Sequence, residues 1–219
     1  LNSKLKKEDF DEINEKGFLV IKDCDYVKKN LIELQKKSKE LMGEEKDKGG
    51  WEGKEKHYKE GKKFESGADR LGGLISKGDV FLGLITIPEI LAAANHVIKD
   101  DIKICGLNLR NPIQGMGNQS IHIDGFPRNA PNDPYAGIVV FIFLDDCKIE
   151  NGAMRIISGT HKKLGWPDDH IDINKKFSKE ERIVCRAGTI VIANLNIWHA
   201  GAKNLNGNLR RAIMSVSYT

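Results

Sequence analysis

Gln119-Ser-Ile-His122-Ile-Asp124 is the stretch on which the reading of this chain turns. A His and an Asp two residues apart on a strand point to the same side, because side chains alternate with a period of two. One imidazole, one carboxylate and a second imidazole from elsewhere make the 2-His-1-carboxylate arrangement. It binds Fe(II) on one face and leaves the opposite face open. The second imidazole is available far downstream, at Trp198-His199. H-x-D alone matches many chains by chance. Here it has company: Gln119 three residues upstream, His199 on a late β-rich stretch, and Arg210 eleven residues after that histidine.

Outward from this stretch, the chain after Asp101 is a series of short apolar runs, at 102–110, 120–124, 137–144, 153–157, 182–186, 189–194 and 209–218. Gly-, Asn- and Pro-rich links separate them, which predicts a sandwich or barrel rather than a parallel α/β sheet. The first hundred residues read differently. A short helix is expected around Asp9, then a strand over 17–22. A helix with Val27, Leu31, Leu34 and Leu41 at helical spacing follows and stops at Gly43. Pro88 opens a further helix with an apolar stripe, in which His96 reads as a surface or structural residue. The expected fold is mainly β with helices (α+β), a cupin-like jelly roll with N-terminal helices packed on one sheet, in a single domain over 1–219.

Residues 43–65 are charged, punctuated by Gly and without periodicity, which predicts a mobile loop. Trp51, Tyr58 and Phe64 within it read first as surface anchors. The sharper reading is a lid over the site, with residues 129–135 lining the same opening. The Gly-rich stretch 67–74 does not fit a phosphate-binding fingerprint.

Composition narrows the class. The chain has 219 residues, 40% hydrophobic and 30% charged, within the ordinary range of a folded domain. Residues 1–65 hold 17 Lys against 16 acidic residues, an intermixed solvated surface rather than a polycation. With a net charge of only +4, this argues against nucleic acid as a partner. No apolar run is long enough to span a bilayer, and the first residues lack the apolar core of a secretory signal. Cys24, Cys105, Cys147 and Cys185 show no metal-finger spacing. The sequence does not exclude disulfides, but a reduced, cytoplasmic protein with its cysteines in the core is the simpler expectation.

Several stretches together resemble the phytanoyl-CoA dioxygenase family. They are Gln119-Ser-Ile-His122-Ile-Asp124, Asn151-Gly-Ala-Met-Arg-Ile-Ile-Ser-Gly-Thr-His161, Ala187-Gly-Thr-Ile-Val-Ile192, and His199-Ala-Gly-Ala-Lys-Asn204 through Arg210-Arg211. The resemblance implies a double-stranded β-helix using Fe(II), 2-oxoglutarate and O2. Such an enzyme hydroxylates or desaturates a small-molecule substrate and releases succinate and CO2. It implies His122, Asp124 and His199 as iron ligands and Arg210 as the partner of the 2-oxoglutarate C5 carboxylate. Gln119 would touch the same cosubstrate, and Phe141 would form an aromatic wall of its pocket. Halogenating relatives lack the carboxylate ligand, so Asp124 favours hydroxylation-type chemistry.

The residues themselves leave some choices open. Arg210 and Arg211 would point to opposite faces of a strand; Ala212 and Met214 share the parity of Arg210 and Ile213 that of Arg211, so alternation does not decide between them. Family spacing favours Arg210. His161 sits in a Gly-Thr-His context that reads as a structural turn, and His57 and His170 lie in polar segments. Arg110, Arg128 and Trp51 are candidates for substrate contact, although surface salt bridges explain the arginines equally well. Trp198 reads as a packing residue beside His199, with support of the metal centre as its other possible role. Two competing functions use the same fold: a catalytically silent cupin-like binding module, and a nucleic-acid-directed oxygenase.

Overall fold

The computed structural model describes residues 3–45 and 67–218. Along the chain lie α1 (Lys7–Lys16), β1 (Phe18–Ile21), α2 (Asp25–Glu45), β2 (Ala68–Leu71), α3 (Asp79–Leu82), α4 (Pro88–Ile98) and β3 (Ile104–Pro112). Then follow β4 (Ile138–Phe143), β5 (Met154–Ile157), β6 (Glu181–Ile183), β7 (Ile190–Asn194), β8 (Trp198–Ala200) and β9 (Ala212–Tyr218). Two antiparallel sheets result: six strands in the order β1-β7-β4-β9-β3-β2, and three in the order β6-β5-β8. This is the jelly-roll architecture, with the helices gathered on one face of the larger sheet.

Strand alternation divides the interior into two apolar layers. From β4, Ile138, Val140 and Ile142 face the helices, where they meet Val27 and Leu34 of α2 and Ile90 and Ala93 of α4. Val139, Phe141 and Phe143 point the other way, toward Met154 and Ile156 of the smaller sheet. Neighbouring β7 repeats this, with Ile190 and Ile192 outward and Val191 and Ala193 inward. Cover on both faces is why β4 reads as an unbroken apolar run instead of an alternating one. Each such fully buried side chain contributes about 1.5–3 kcal/mol relative to exposure. Among the described residues no single helix is long and apolar enough to cross a membrane.

Some expectations need correction. α2 does not stop at Gly43 but continues to Glu45, which forms an ion pair with Lys77. Gly43 looks onto open space, so nothing there forces the chain to turn. The Gly-rich stretch contains an unforeseen edge strand, β2, paired with β3 from Ala68↔Pro112 to Leu71↔Leu109. Residues 120–124 form no continuous strand. His122 makes a bridge pair with His199, while the N–H groups of Ile121 and Asp124 donate elsewhere, to Ile173 and Leu195. No disulfide joins the four cysteines; Cys24 and Cys147 are buried, but Cys105 is exposed rather than in the core. Trp51, His57, Tyr58, Phe64 and most of the loop expected over 43–65 lie outside the described residues.

Candidate active site

The two histidines are brought together by backbone pairing. Each N–H of His122 and His199 donates to the other's carbonyl at 3.0 Å, placing the ring centroids 4.5 Å apart. Asp124, in the bend that follows with its N–H on the Leu195 carbonyl, falls on the same side. One donor atom from each of His122, Asp124 and His199 lies within 4.8 Å of the others. His199 Nε2 is 3.3 Å from Asp124 Oδ2, and His122 Nε2 is 3.7 Å from Oδ1. A metal bound at about 2.0–2.2 Å to neighbouring corners needs donors roughly 3 Å apart, so a small inward adjustment closes the set.

The tautomers suit a metal. His122 Nδ1 lies 2.8 Å from the Ser120 carbonyl and His199 Nδ1 lies 3.1 Å from the Ile197 carbonyl. A carbonyl only accepts, so both Nδ1 atoms carry the proton and both Nε2 lone pairs face Asp124. Burial drives the His122 pKa down to about 4, and neighbouring His199 adds to the effect. Burial pushes Asp124 up, but the His199 and His122 imidazoles outweigh it and hold the carboxyl at about 2. For His199 burial acts downward and the Asp124 carboxylate more than reverses it. One neutral imidazole and one ionised carboxylate stand ready, and the carboxylate that raises His199 is the group with which it would share a metal. Two imidazole nitrogens and one carboxylate, on one side of an open cavity, fit Fe(II).

That cavity has a volume of about 220 Å³ and lies between the two sheets. Arg210, Gln119, Phe141 and Arg110 all line it with the triad. Phe141 meets His199 edge-on at 5.6 Å between centroids. Gln119 accepts a hydrogen bond from the Gly201 N–H at 2.8 Å through Oε1. Gly201 permits this approach: a Cβ there would sit 2.7 Å from Gln119 Oε1 and 2.9 Å from Arg110 Nη1. Arg210 is 4% exposed, and its Nε and Nη2 are buried without a hydrogen-bond partner among the described residues. Burial draws its pKa down to about 10, so it remains charged at neutral pH. A buried guanidinium with two unmatched donors fits an incoming carboxylate. Arg211 turns away, gripping Asp145 through Nε and Nη2 at 2.8 and 2.7 Å and donating through Nη1 to the Gln35 carbonyl on α2.

Other singled-out residues lie elsewhere. Arg128 is not in this cavity; its guanidinium is engaged by the carbonyls of Ala130, Pro131 and Asp133 and by Tyr135, and so braces its own loop. Residues 131–135 line a second cavity with α1 and the end of α4, not the opening of the first. His161 is buried against Gly17, where a Cβ would fall 2.3 Å from Nδ1, and its Nε2 faces the Asn14 carbonyl. His96 hydrogen-bonds Asn14, and exposed His170 the Leu164 carbonyl. Trp198 packs with Ile121 and Ile157 behind the triad.

Two arginines escaped the sequence reading. Arg155 is 6% exposed, ion-paired to Glu180 at 3.2 Å, and donates to the Gln119 carbonyl, holding the segment that leads to His122. A charge inside the apolar run Met154-Arg-Ile-Ile157 was its signal. Arg70 lines the main cavity from β2, and no periodicity in its Gly-rich surroundings marked it.

Comparison with known proteins agrees with this architecture. The carbocyclase SnoK from nogalamycin biosynthesis superposes with a TM-score of 0.72 at 18% identity, over 98% of this chain and 84% of that one. HygX from Streptomyces hygroscopicus, crystallised with nickel, 2-oxoglutarate and hygromycin B, gives 0.71 at 14% identity over 96% and 86%. Iron-bound EctD from S. alaskensis gives 0.75 at 12% identity over 98% and 76%. An uncharacterized protein of Mycobacterium tuberculosis, Rv1501, is 23% identical over 141 residues, or 61% of this chain. The chain spans about half the length of such curated relatives, 49%. The profile of the phytanoyl-CoA dioxygenase (PhyH) family matches residues 13–212, and the chain belongs to that family.

Proposed function

We propose that this protein is an iron(II)- and 2-oxoglutarate-dependent oxygenase that hydroxylates, or by related chemistry desaturates, a small molecule. In hydroxylation, substrate, 2-oxoglutarate and O2 become hydroxylated substrate, succinate and CO2. The observation that carries the reading is a single cavity holding both kinds of site. The His122–Asp124–His199 donor set lies at one wall, and buried Arg210, with two unmatched donors, lies at another. His122, Asp124 and His199 hold the metal, which supplies the oxidation of the substrate when bound. Arg210 fixes the C5 carboxylate of 2-oxoglutarate, Gln119 presents its amide beside it, and Phe141 closes one side. Val139, Met154, Ala212 and Met214 form an apolar lining that limits water.

An intact metal set beside an intact carboxylate anchor supports catalysis over a silent binding module. HygX, of the same fold, was crystallised with hygromycin B, which supports a small-molecule substrate here. The test is succinate formation from 2-oxoglutarate by the Fe(II)-loaded protein in air, with and without a metabolite library. Turnover is expected above a metal-free control and is lost in His199→Ala. Wild-type protein that neither binds 2-oxoglutarate nor forms succinate overturns the reading.

A further inference from the structure

Cys147, in the segment after β4, and Cys185, just past β6, face each other in an isolated antiparallel bridge. Neither lines the active-site cavity. Each N–H donates to the other residue's carbonyl, at 2.8 and 3.0 Å, which makes them a hydrogen-bonded cross-strand pair. In such a pair the Cα atoms stand about 5.5 Å apart and both side chains leave on one face. A disulfide needs Cα atoms roughly 4.4–6.8 Å apart, so the backbone already has the right spacing. Both side chains pack in the apolar layer between the sheets; Cys147 is fully buried, and Cys185 is half-buried beside exposed Val184. Hydrogen bonding from the Cys185 thiol holds the Cys147 thiol below its ordinary value against the effect of burial, and Arg210 adds to the lowering. The second proton of the pair is correspondingly harder to remove.

The segment that carries Cys147 also seats Arg210. The Leu144 N–H donates to the Arg211 carbonyl at 2.8 Å, and Asn151 Nδ2 donates to the carbonyls of Asp146 and Leu209 at 2.7 and 3.1 Å. Asp146 Oδ1 in turn accepts from the Ala187 N–H at 3.0 Å, two residues past Cys185. Residues 144–151 thus hold the chain on both sides of Arg210, and hydrogen bonds alone tie them to the segment of Cys185. We propose that Cys147 and Cys185 are a site of reversible oxidation by hydrogen peroxide, closing to a disulfide that braces the seat of Arg210. One sulfur, as thiolate, attacks an oxygen of the peroxide; the O–O bond breaks, a sulfenic acid forms, and the departing hydroxide is protonated to water. The other sulfur then attacks the sulfenic sulfur, the S–S bond forms, and the hydroxyl leaves with a proton as a second water. Two electrons pass from the sulfurs to the peroxide. Half-buried Cys185 gives the oxidant access, and the reaction uses neither the metal nor 2-oxoglutarate.

The experiment treats the folded protein, carrying Ni(II) and 2-oxoglutarate, with hydrogen peroxide and maps its peptides by mass spectrometry without reduction. Ni(II) replaces iron so that the metal does not itself consume the peroxide. A peptide pair joined through Cys147 and Cys185, lighter by two hydrogens and separated again by dithiothreitol, is expected. The oxidised protein is expected to melt about 4 °C or more above the reduced one, because the link closes the loop between the two residues. Amide exchange over 209–211 is expected to slow by about fivefold or more in the oxidised form. Cys185→Ala, at the half-buried position, is expected to lose the linked peptide and both shifts, whereas Cys24→Ser is expected to keep them. The assignment is overturned if both thiols stay reduced in the folded protein, if either pairs with another cysteine, if oxidation ends in sulfinic acid, or if the disulfide forms without slowing exchange over 209–211. Should Cys185→Ala fail to fold, the wild-type peptide map and exchange rates decide by themselves. Failure of wild-type protein to bind Ni(II) and 2-oxoglutarate would sink the proposed function instead, and the thiol map of the metal-free protein then still decides the cysteine pair.

Discussion

His122 and His199 are held by each other's backbone, N–H to carbonyl at 3.0 Å in both directions. The separation of the two imidazoles is thus set by main-chain hydrogen bonds that an alanine leaves intact. His199→Ala is expected to keep its far-UV circular dichroism and lose Fe(II) or Ni(II) affinity by at least about 100-fold, more than loss of a supporting hydrogen bond costs. Anaerobic titration, reading the weak visible band of the Fe(II)–2-oxoglutarate chelate, measures it. Full affinity in the variant removes His199 from the metal set.

Adjacent arginines are expected to fail in opposite ways. Arg210→Ala removes a charge-assisted partner of the cosubstrate and is expected to cost roughly 2–5 kcal/mol of 2-oxoglutarate binding. Arg211→Ala leaves Asp145 only the backbone N–H of residue 211 and releases the Gln35 carbonyl, and is expected to cost roughly 3 kcal/mol of folding stability instead. Calorimetry with 2-oxoglutarate and urea unfolding of both variants separate the two effects. Equal losses of cosubstrate affinity contradict the assignment.

A methyl group at position 201 tests the close approach behind the cosubstrate pocket. Gly201→Ala sets a Cβ 2.7 Å from Gln119 Oε1 and 3.0 Å from the Gly117 carbonyl, so Gln119 has to give up its bond to the residue 201 N–H. Overpacking of this kind costs about 1–3 kcal/mol. Cosubstrate affinity is expected to fall by about tenfold, and Gln119→Ala is expected to add little on the Gly201→Ala background. A double-mutant cycle gives the answer; full additivity means that the substitution at position 201 does not act through Gln119.

Acid sensitivity is expected from His161, which burial holds at about 4 in the folded protein against 6.5 for an unperturbed imidazole. Nearby Lys162 and Arg128 add to the lowering. Below about pH 6.5 the unfolded chain takes up a proton that the folded chain refuses until about pH 4, so stability falls as pH drops through that window. A difference of this size corresponds to roughly 3 kcal/mol across the window. Urea unfolding from pH 7 to 4 is expected to show a shallower decline for His161→Gln than for wild type. Parallel declines assign the acid sensitivity to other groups.

Much of the fold was legible because it depends on local pattern. The apolar runs that became β4 and β7 carry their own cover on both faces, and Pro88 marks the first turn of α4. The period of two in His122-Ile-Asp124 anticipated both on one side, although Asp124 lies in a bend whose N–H donates to Leu195 and not on a continuous strand. What escaped was decided by partners distant in sequence. β2 has weak strand character of its own and exists through its pairing with β3, which is why Arg70 went unseen. Arg128 read as a substrate contact and residues 129–135 as lining the opening, but Arg128 braces its own loop and residues 131–135 line a cavity with α1 and α4. α2 passes Gly43, and Glu45 beyond it pairs with Lys77.

Arg210 and Arg211 show the division most directly. Sequence determined that the two arginines leave β9's lead-in on opposite faces, and that Ala212 and Met214 go with Arg210 while Ile213 goes with Arg211. Alternation is a property of the extended backbone alone. It does not say which face is the cavity. That was decided by α2 and α4 packing on one side of the six-stranded sheet, which buries Ile213 beneath the helices, and by the smaller sheet on the other, which leaves Arg210, Ala212 and Met214 around the triad.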